Sequence, residues 1–99
     1  MIEIVQSETF ARWIAKLKDR HALARINARL RRLTETGNFG DAKALRDGVS
    51  EMRIDYGPGY RVYFMRRGAV LVVLLAGGDK HTQDADIVRA VEIAKEWKD

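Results

Sequence analysis

The sequence predicts an α+β domain: a small twisted, mainly antiparallel sheet with an N-terminal helical hairpin and a C-terminal helix packed against it. Alternating apolar and polar residues from Val49 onward predict strands, and apolar residues at helical spacing on either side of this stretch predict helices. The expected element order is β-α-α-β-β-β-α. The 99 residues suffice for one domain with a single core, and neither a repeat nor a linker divides residues 1–99.

The central strands are predicted from two alternating sets of residues. The apolar set is Met52, Ile54, Tyr60, Val62 and Phe64, and the set between them is Glu51, Arg53, Asp55, Arg61 and Tyr63. Successive strand side chains point to opposite faces, so we expect one apolar and one charged face. Turns are predicted at Gly57-Pro58-Gly59 and at Arg67-Gly68. The run from Val70 to Ala76 has the composition of a strand buried on both faces, which completes a three-stranded meander.

Two helices are predicted before the sheet, after a short N-terminal strand. Ser7 is a suitable N-cap for a helix that begins at Glu8. Asp19 is a suitable N-cap for a second helix, which Gly37 ends. Because the two helices follow each other closely, we expect them to form a hairpin on the sheet.

The connection from Asn38 to Gly48 is expected to be irregular, with Leu45 as its anchor in the core. After the last strand, Gly77 and Gly78 are expected either to let the backbone approach another group or to turn sharply. Thr82 is predicted to cap the final helix. The residues expected on its buried side are Ile87, Val91, Ala94 and Trp97.

Positive charge is concentrated in the two predicted N-terminal helices. The net charge is +4, and the stretch from Arg12 to Arg32 contains eight basic residues and one acid. Such a block is typical either of a surface for a polyanion, with RNA or DNA as first candidates, or of a solvated helix face. Arg25, Arg29 and Arg32 lie along one side of the second helix and are the candidate RNA contacts.

Composition excludes several kinds of site. Without cysteine, neither a disulfide framework nor a thiolate metal site can form. His21 and His81 are far apart and no carboxylates stand at ligand spacing beside them, so no zinc site and no cofactor are expected. The N-terminus lacks the basic start and the apolar stretch of a secretory signal, and no segment could span a bilayer, so we expect a cytoplasmic protein.

Two motifs carry a resemblance to a known family. The stretch GVSEMRID-x-GPGYRVYF, followed by a hydrophobic strand and then GGDKHTQDADI, resembles the RelE/HigB-type toxins of bacterial toxin–antitoxin systems, in particular the addiction module killer proteins. The resemblance covers nearly the whole chain. It implies a RelE-like fold and a metal-independent endoribonuclease, an mRNA interferase that cleaves mRNA in the ribosomal A site and inhibits translation.

The resemblance also implies partners. These are the ribosome, mRNA and a cognate antitoxin, which is expected to be a HigA-like helix-turn-helix protein encoded by the neighbouring gene. Operator DNA would be contacted only through the antitoxin, and no membrane is involved.

Cationic side chains are the first candidates for catalysis. Metal-free RNA cleavage by the ribose 2′-hydroxyl must neutralise charge on the phosphate in the transition state, and an arginine can bind a phosphate with two donors. The resemblance places essential basic residues at Arg61 and Lys80, and also at Arg53. The alternative is that these cations form structural ion pairs with Glu51, Asp55 and Asp79.

Three further side chains are candidates of other kinds. His81 is the candidate acid–base group because imidazole titrates near neutrality, although a lone histidine beside a helix N-terminus is more often a surface residue. Tyr63 is expected to stack on a base or donate a proton, with packing as its alternative. Asp86 is expected to place a favourable charge in the first turn of the last helix. His21 is expected to be exposed.

Other functions remain open from the sequence. A ParE-like toxin that inhibits gyrase would share the fold without cleaving RNA, and a non-catalytic module could bind only its antitoxin and DNA. The cations Arg53, Arg61 and Lys80 favour cleavage of a phosphodiester.

Overall fold

The computed structural model describes residues 2–98 and has the predicted α+β architecture, with a five-stranded sheet and three helices over these residues. The strands are β1 (Glu3–Gln6), β2 (Ala42–Arg46), β3 (Val49–Ile54), β4 (Tyr60–Arg67) and β5 (Leu71–Asp79). The helices are α1 (Glu8–Lys16), α2 (Arg20–Thr36) and α3 (Gln83–Glu96), and a short 3-10 helix over Lys80–Thr82 precedes α3. Within this range, none of the helices combines the length and the apolar character that crossing a membrane requires.

The sheet is mostly antiparallel. Its strand order is β1-β5-β4-β3-β2, and β1 runs parallel to β5 while the other pairs are antiparallel. The predicted meander is confirmed as β3, β4 and β5. Gly57 and Gly59 in its first turn have φ of 59° and 84°, a conformation that costs glycine little. Residues 72–76 of β5 are buried, as expected for a central strand, whereas Val70 lies in the preceding turn and is exposed.

The expectation of an irregular connection from Asn38 to Gly48 is wrong for most of its length, because β2 forms an edge strand there. β2 pairs with β3 across a two-residue turn in which Asp47 and Gly48 have φ of 53° and 78°. Two consecutive positive φ values define the tight hairpin turn that Asp-Gly favours. Leu45, the expected anchor, is partly buried against the core beneath α3.

The predicted boundaries of α1 and α2 are confirmed by their caps, whereas Thr82, the predicted cap of the final helix, precedes α3 without a side-chain capping bond. Ser7 Oγ accepts a hydrogen bond from the Phe10 N–H (3.0 Å) and donates one to the Leu75 carbonyl of β5 (2.6 Å). Asp19 accepts hydrogen bonds from two backbone N–H groups of the first turn of α2. Gly37 ends α2 in the left-handed conformation, with φ of 74°. The start of α1 is therefore attached to the sheet.

A hydrophobic core lies on each face of the sheet. α1 and α2 cover one face, whose core includes Phe10, Ile26, Leu33, Met52, Ile54, Val62, Phe64, Val72 and Leu74. α3 covers the other face, whose core includes Val49, Tyr63, Met65, Val73, Leu75, Ala76, Ala90 and Val91. The predicted apolar face of β3 and β4 is confirmed. The prediction of a charged second face is wrong for its middle, because Glu51 and Tyr63 are buried there.

Gly77 and Gly78 let side chains approach the sheet closely, the first of the two roles expected of them. A Cβ atom at Gly77 would overlap the Trp13 ring, and one at Gly78 would overlap the Asp86 carboxylate. Because β5 continues through both residues, they do not form a turn.

We expect Gly77→Ala to lower the free energy of unfolding by about 1–3 kcal/mol, because the added methyl group overpacks a filled contact. Gly78→Ala should be partly rescued by Asp86→Ala, which removes the nearer of the two side chains that the new methyl group meets, Asp86 and Thr82. Gly77→Ala should not be rescued by Asp86→Ala. Denaturant titration measures all four variants. A Gly77→Ala protein as stable as wild type would contradict the packing of Trp13 on β5.

Candidate functional site

Three of the predicted cations meet in one cleft. Arg53 on β3 and Arg61 on β4 are direct partners in the antiparallel register, so their side chains leave the sheet on the same face. Lys80 follows the end of β5, next to the turn between β3 and β4. The cleft has a volume of about 380 Å³ and is lined by Asp41, Arg53, Ile54, Asp55, Gly59, Arg61 and Lys80.

Arg61 is the most enclosed of the three cations. Its side chain is 14% exposed, its Nη1 donates a hydrogen bond to the Gly59 carbonyl (2.9 Å), and its Nε lies 3.5 Å from Glu51 Oε1. The Glu51 side chain is only 1% exposed. The alternative role predicted for Arg61, an ion pair with Glu51, is therefore present. Because Glu51 is buried and does not line the cleft, this contact lies beneath the cleft surface.

Arg53 has an exposed partner. Its Nε and Nη2 both donate to Asp41 Oδ1, at 3.2 and 2.7 Å, and this arginine holds the pKa of the Asp41 carboxyl below its usual value. Both side chains are more than a third exposed, so solvent screens the pair and an arriving anion can replace the carboxylate at little cost. The expected partner Asp55 is exposed and also lines the cleft.

Gly59 separates Arg61 from Lys80. A Cβ atom at this glycine would lie 3.2 Å from Arg61 Nη1 and 3.7 Å from the Lys80 Cβ. In the turn between β3 and β4, a residue without a side chain therefore lies between the two cations. Glycine is needed here both for this space and for the positive φ.

His81 does not line the cleft. It is exposed on the 3-10 helix, where its Nδ1 lies 3.5 Å from Asp79 Oδ1 and its backbone N–H donates to the same oxygen (2.8 Å). Asp79, expected as a partner of the cations, caps this helix. The lining residues of the cleft thus provide charge but no imidazole.

The prediction that Tyr63 stacks on a base is wrong in this structure, because its ring is fully buried beneath α3. Burial raises the pKa of its hydroxyl, and the nearby Glu51 raises it further. Among residues 2–98 the hydroxyl has no hydrogen-bond partner. Packing, the stated alternative, is the role that the structure supports.

The three arginines of α2 have different surroundings. Arg25 lies over the Tyr56 ring, 4.6 Å from its centroid, and Arg32 is exposed, so both remain available to an RNA. Arg29 does not. Its guanidinium donates to the carbonyls of Arg53 (2.7 Å), Phe39 (3.0 Å) and Asp41 (3.3 Å), and burial lowers its pKa. The prediction that Arg29 contacts RNA is replaced by a structural role.

The surroundings of two charged side chains at the site were not predicted from the sequence. Asp41 was not expected at the site because β2 itself was missed, and the Asp47-Gly48 pair was the local signal for that strand. Glu51 was expected on an exposed face.

Asp86 lies in the first turn of α3 as predicted. There it accepts a hydrogen bond from the Thr82 hydroxyl (2.5 Å), and burial raises the pKa of its carboxyl group.

Comparison with known proteins finds a close relative. The chain is 54% identical over 95 residues to a protein of Haemophilus influenzae described as an uncharacterized protein, a match that covers 96% of this chain and 95% of the relative. The chain belongs to the family of that protein. No family model matches the chain. In residues 2–98 no group of three or more potential ligands is placed to hold a metal ion.

We expect Tyr63→Phe to leave the free energy of unfolding unchanged or to raise it by up to about 1 kcal/mol, because it deletes a buried hydroxyl without a hydrogen-bond partner. Thermal and denaturant unfolding measure this, with Tyr56→Phe at a partly exposed ring as control. A loss of stability at Tyr63→Phe would show that the hydroxyl forms a bond in solution.

Arg29→Gln is expected to lower the free energy of unfolding by about 1.5–3 kcal/mol or more, because a charged donor to three carbonyls is lost. Arg32→Gln, on the same helix but exposed, is expected to stay within about 0.5 kcal/mol of wild type. The same denaturant titrations compare the two variants. Equal stabilities would refute the structural role of Arg29.

Proposed function

We propose that this protein is the toxin of a type II toxin–antitoxin system, with a RelE-like fold, which cleaves mRNA on the ribosome and thereby inhibits translation. The observation that carries the proposal is the convergence of Arg53, Arg61 and Lys80 on one cleft from three different segments. The motifs around Gly57-Pro58-Gly59 and Lys80 support it, since the cleft is built from these same motifs.

The chemistry of the cleft supports phosphodiester cleavage. In metal-free cleavage the ribose 2′-oxygen attacks the adjacent phosphorus, the 5′-oxygen leaves, and negative charge builds up on the phosphate oxygens between. Donors that are already in place for this charge stabilise the transition state more than the ground state. Arg61 is the best candidate for this role because its surroundings hold it in position. Arg53 and Lys80 would bind the phosphate and its neighbours.

The surface around the cleft supports a ribosomal location for the reaction. Arg25 and Arg32 on α2 are accessible cations, and such cations bind the phosphates of nucleic acids, which on the ribosome would be those of rRNA. A toxin of this kind requires a tightly bound inhibitor. We propose that the HigA-like antitoxin covers the cleft with carboxylates or with a helix, because the cluster of cations is an electrostatic target.

One observation favours a second candidate, a module that binds nucleic acid or its antitoxin without cleavage. The lining residues include no side chain whose usual pKa is near neutrality, and His81 lies outside the cleft. Cleavage would therefore need a substrate that extends over the 3-10 helix to His81, or proton transfer through water. A toxin that inhibits gyrase would also leave RNA uncleaved, so it belongs with this second candidate. A cleavage assay distinguishes both from an mRNA interferase.

The test is translation by purified ribosomes with mapping of the mRNA ends. Arg61→Lys should reduce the cleavage rate by about 10²-fold or more, because a lysine keeps the charge but loses the two-donor fork. Lysine is preferable to alanine here, since removal of the cation would leave Glu51 buried without a partner, at a cost of about 3–5 kcal/mol.

Arg46→Lys provides the matched control, because Arg46 is an exposed arginine of β2 that does not line the cleft. It should cleave at the wild-type rate. Wild-type protein that leaves mRNA intact would reject the nuclease in favour of the second candidate, and cleavage by Arg61→Lys at the wild-type rate would reject the role of Arg61.

A further inference from the structure

The buried carboxylate of Glu51 has no role in the cleft chemistry described so far. Glu51 lies in β3 opposite Tyr63, two residue pairs away from the pair of Arg53 and Arg61 and on the same face of the sheet. Its side chain is 1% exposed. Glutamate is almost never buried to this extent unless a partner compensates for the lost hydration, so the position needs an explanation.

Arg61 is the charged partner, but the pair is not a tight structural ion pair. The distance of 3.5 Å between Arg61 Nε and Glu51 Oε1 does not correspond to a hydrogen bond, and neither atom has another hydrogen-bond partner in the part of the chain that the structure describes. Desolvation of two such charges costs about as much as their attraction returns, so stability is a weak reason to keep the pair. An apolar pair would fill the same space at no electrostatic cost.

The direction of the Arg61 guanidinium is what the pair determines. Arginine has five N–H donors on a planar fork. The Nε–H side faces Glu51, and one Nη1–H is bonded to the Gly59 carbonyl. The three remaining donors are the second N–H of Nη1 and the two N–H groups of Nη2, the two nitrogens that form the outer edge of the fork. A phosphate that binds with two parallel hydrogen bonds is therefore received on this outer edge.

We propose that Glu51 is a positioning residue, which holds the Arg61 guanidinium with its outer edge toward the cleft and ready for a phosphate group of RNA. The part of this inference that concerns RNA cleavage rests on the proposed function. The part that concerns the orientation of Arg61 does not depend on that function. Glu51 cannot act on the substrate itself because the sheet and α3 enclose it. Its effect passes through Arg61.

The contrast with Asp41 supports this assignment. Asp41 is half exposed and binds the donors of Arg53 from the side of the cleft, so it competes with a phosphate for them. Glu51 approaches Arg61 at Nε from the buried side and does not occupy the donors of Nη1 and Nη2. One carboxylate must be displaced when an anion binds, and the other remains in place.

The test is a double-mutant cycle of Glu51→Gln and Arg61→Lys in the full chain, assayed well below the unfolding temperature of all four proteins. Glu51→Gln preserves the shape of the side chain and removes its charge. We expect it to reduce the rate of mRNA cleavage on the ribosome by about 10²-fold, which a misplacement of about 1 Å can cause. In the Arg61→Lys background the same change should have almost no further effect, because a lysine has no fork to align.

A direct readout of Arg61 keeps this test separate from that of the proposed function. The Nε–H of Arg61 gives its own signal in ¹⁵N–¹H spectra. In Glu51→Gln we expect this signal to shift and to exchange with water faster, while the backbone spectrum stays that of the folded protein. Glu92→Gln, at an exposed glutamate of α3, is the matched control and should change neither this signal nor the rate.

The possible results lead to different conclusions. If Glu51→Gln lowers thermal stability but leaves the Arg61 Nε–H signal unchanged, Glu51 is merely structural and the proposal is wrong. Losses of rate that simply add in the cycle would also overturn it. If wild-type protein does not cleave mRNA, the proposed function fails, and the Nε–H signal alone then decides whether Glu51 positions Arg61.

Discussion

The antiparallel register of β3 and β4 is the constraint on which the cleft depends. It places Arg53 directly opposite Arg61, and it places Met52 opposite Val62 on the other face. A shift of one residue in either strand would turn its arginine into the core beneath α1 and α2, which the burial of charge forbids. The turn at Gly57-Pro58-Gly59 fits this register and also leaves the space in which Arg61 and Lys80 approach each other. The packing of apolar side chains on one face of the sheet thus determines which charged side chains meet on the other face.

The cleft is tied to α2 through Arg29. This side chain donates hydrogen bonds to the carbonyls of Arg53 and Asp41, two residues that line the cleft, although Arg29 itself does not line it. A Cβ atom at Gly40 would lie 2.7 Å from the Arg29 guanidinium, so a glycine is needed where the chain passes over it. The accessible cations of α2 and those of the cleft therefore belong to one rigid unit. A polyanion that contacts both surfaces would meet them at a fixed separation, which lowers the cost of ordering the protein on binding.

The helices and the three central strands were predictable because their signals are local. Ser7, Asp19 and Gly37 act on backbone groups a few residues away, and the alternation along β3 and β4 identifies an apolar face without knowledge of its partner. The same kind of signal was available for β2 in Asp47-Gly48.

The roles of individual side chains were less predictable, because those roles depend on contacts between distant segments. α3 buries the face that carries Tyr63 and Glu51, and nothing in the alternation itself reveals that cover. In β5, Tyr63 pairs with Ala76 while Phe64 pairs with Leu74, so Leu75 is an extra residue in a bulge. Because of the bulge, Leu75 and Ala76 both lie on the side of the sheet that α3 covers. It also determines that Gly77 faces α1 and that Gly78 faces α3. Arg29 was misassigned for a related reason, since its carbonyl partners lie far along the chain.

The two arginines of the cleft have partners of opposite kinds, and this asymmetry suggests how an anion would enter. Breaking the exposed pair of Arg53 and Asp41 costs little, because water already screens it. Breaking the pair of Arg61 and Glu51 would leave a charge in a dry environment, which costs several kcal/mol. An incoming phosphate would therefore displace Asp41 and meet an Arg61 that has not moved. The exposed partner, Asp41, provides access and the buried partner, Glu51, provides direction. The arginine that is harder to reach is therefore also the one whose donors are already in place.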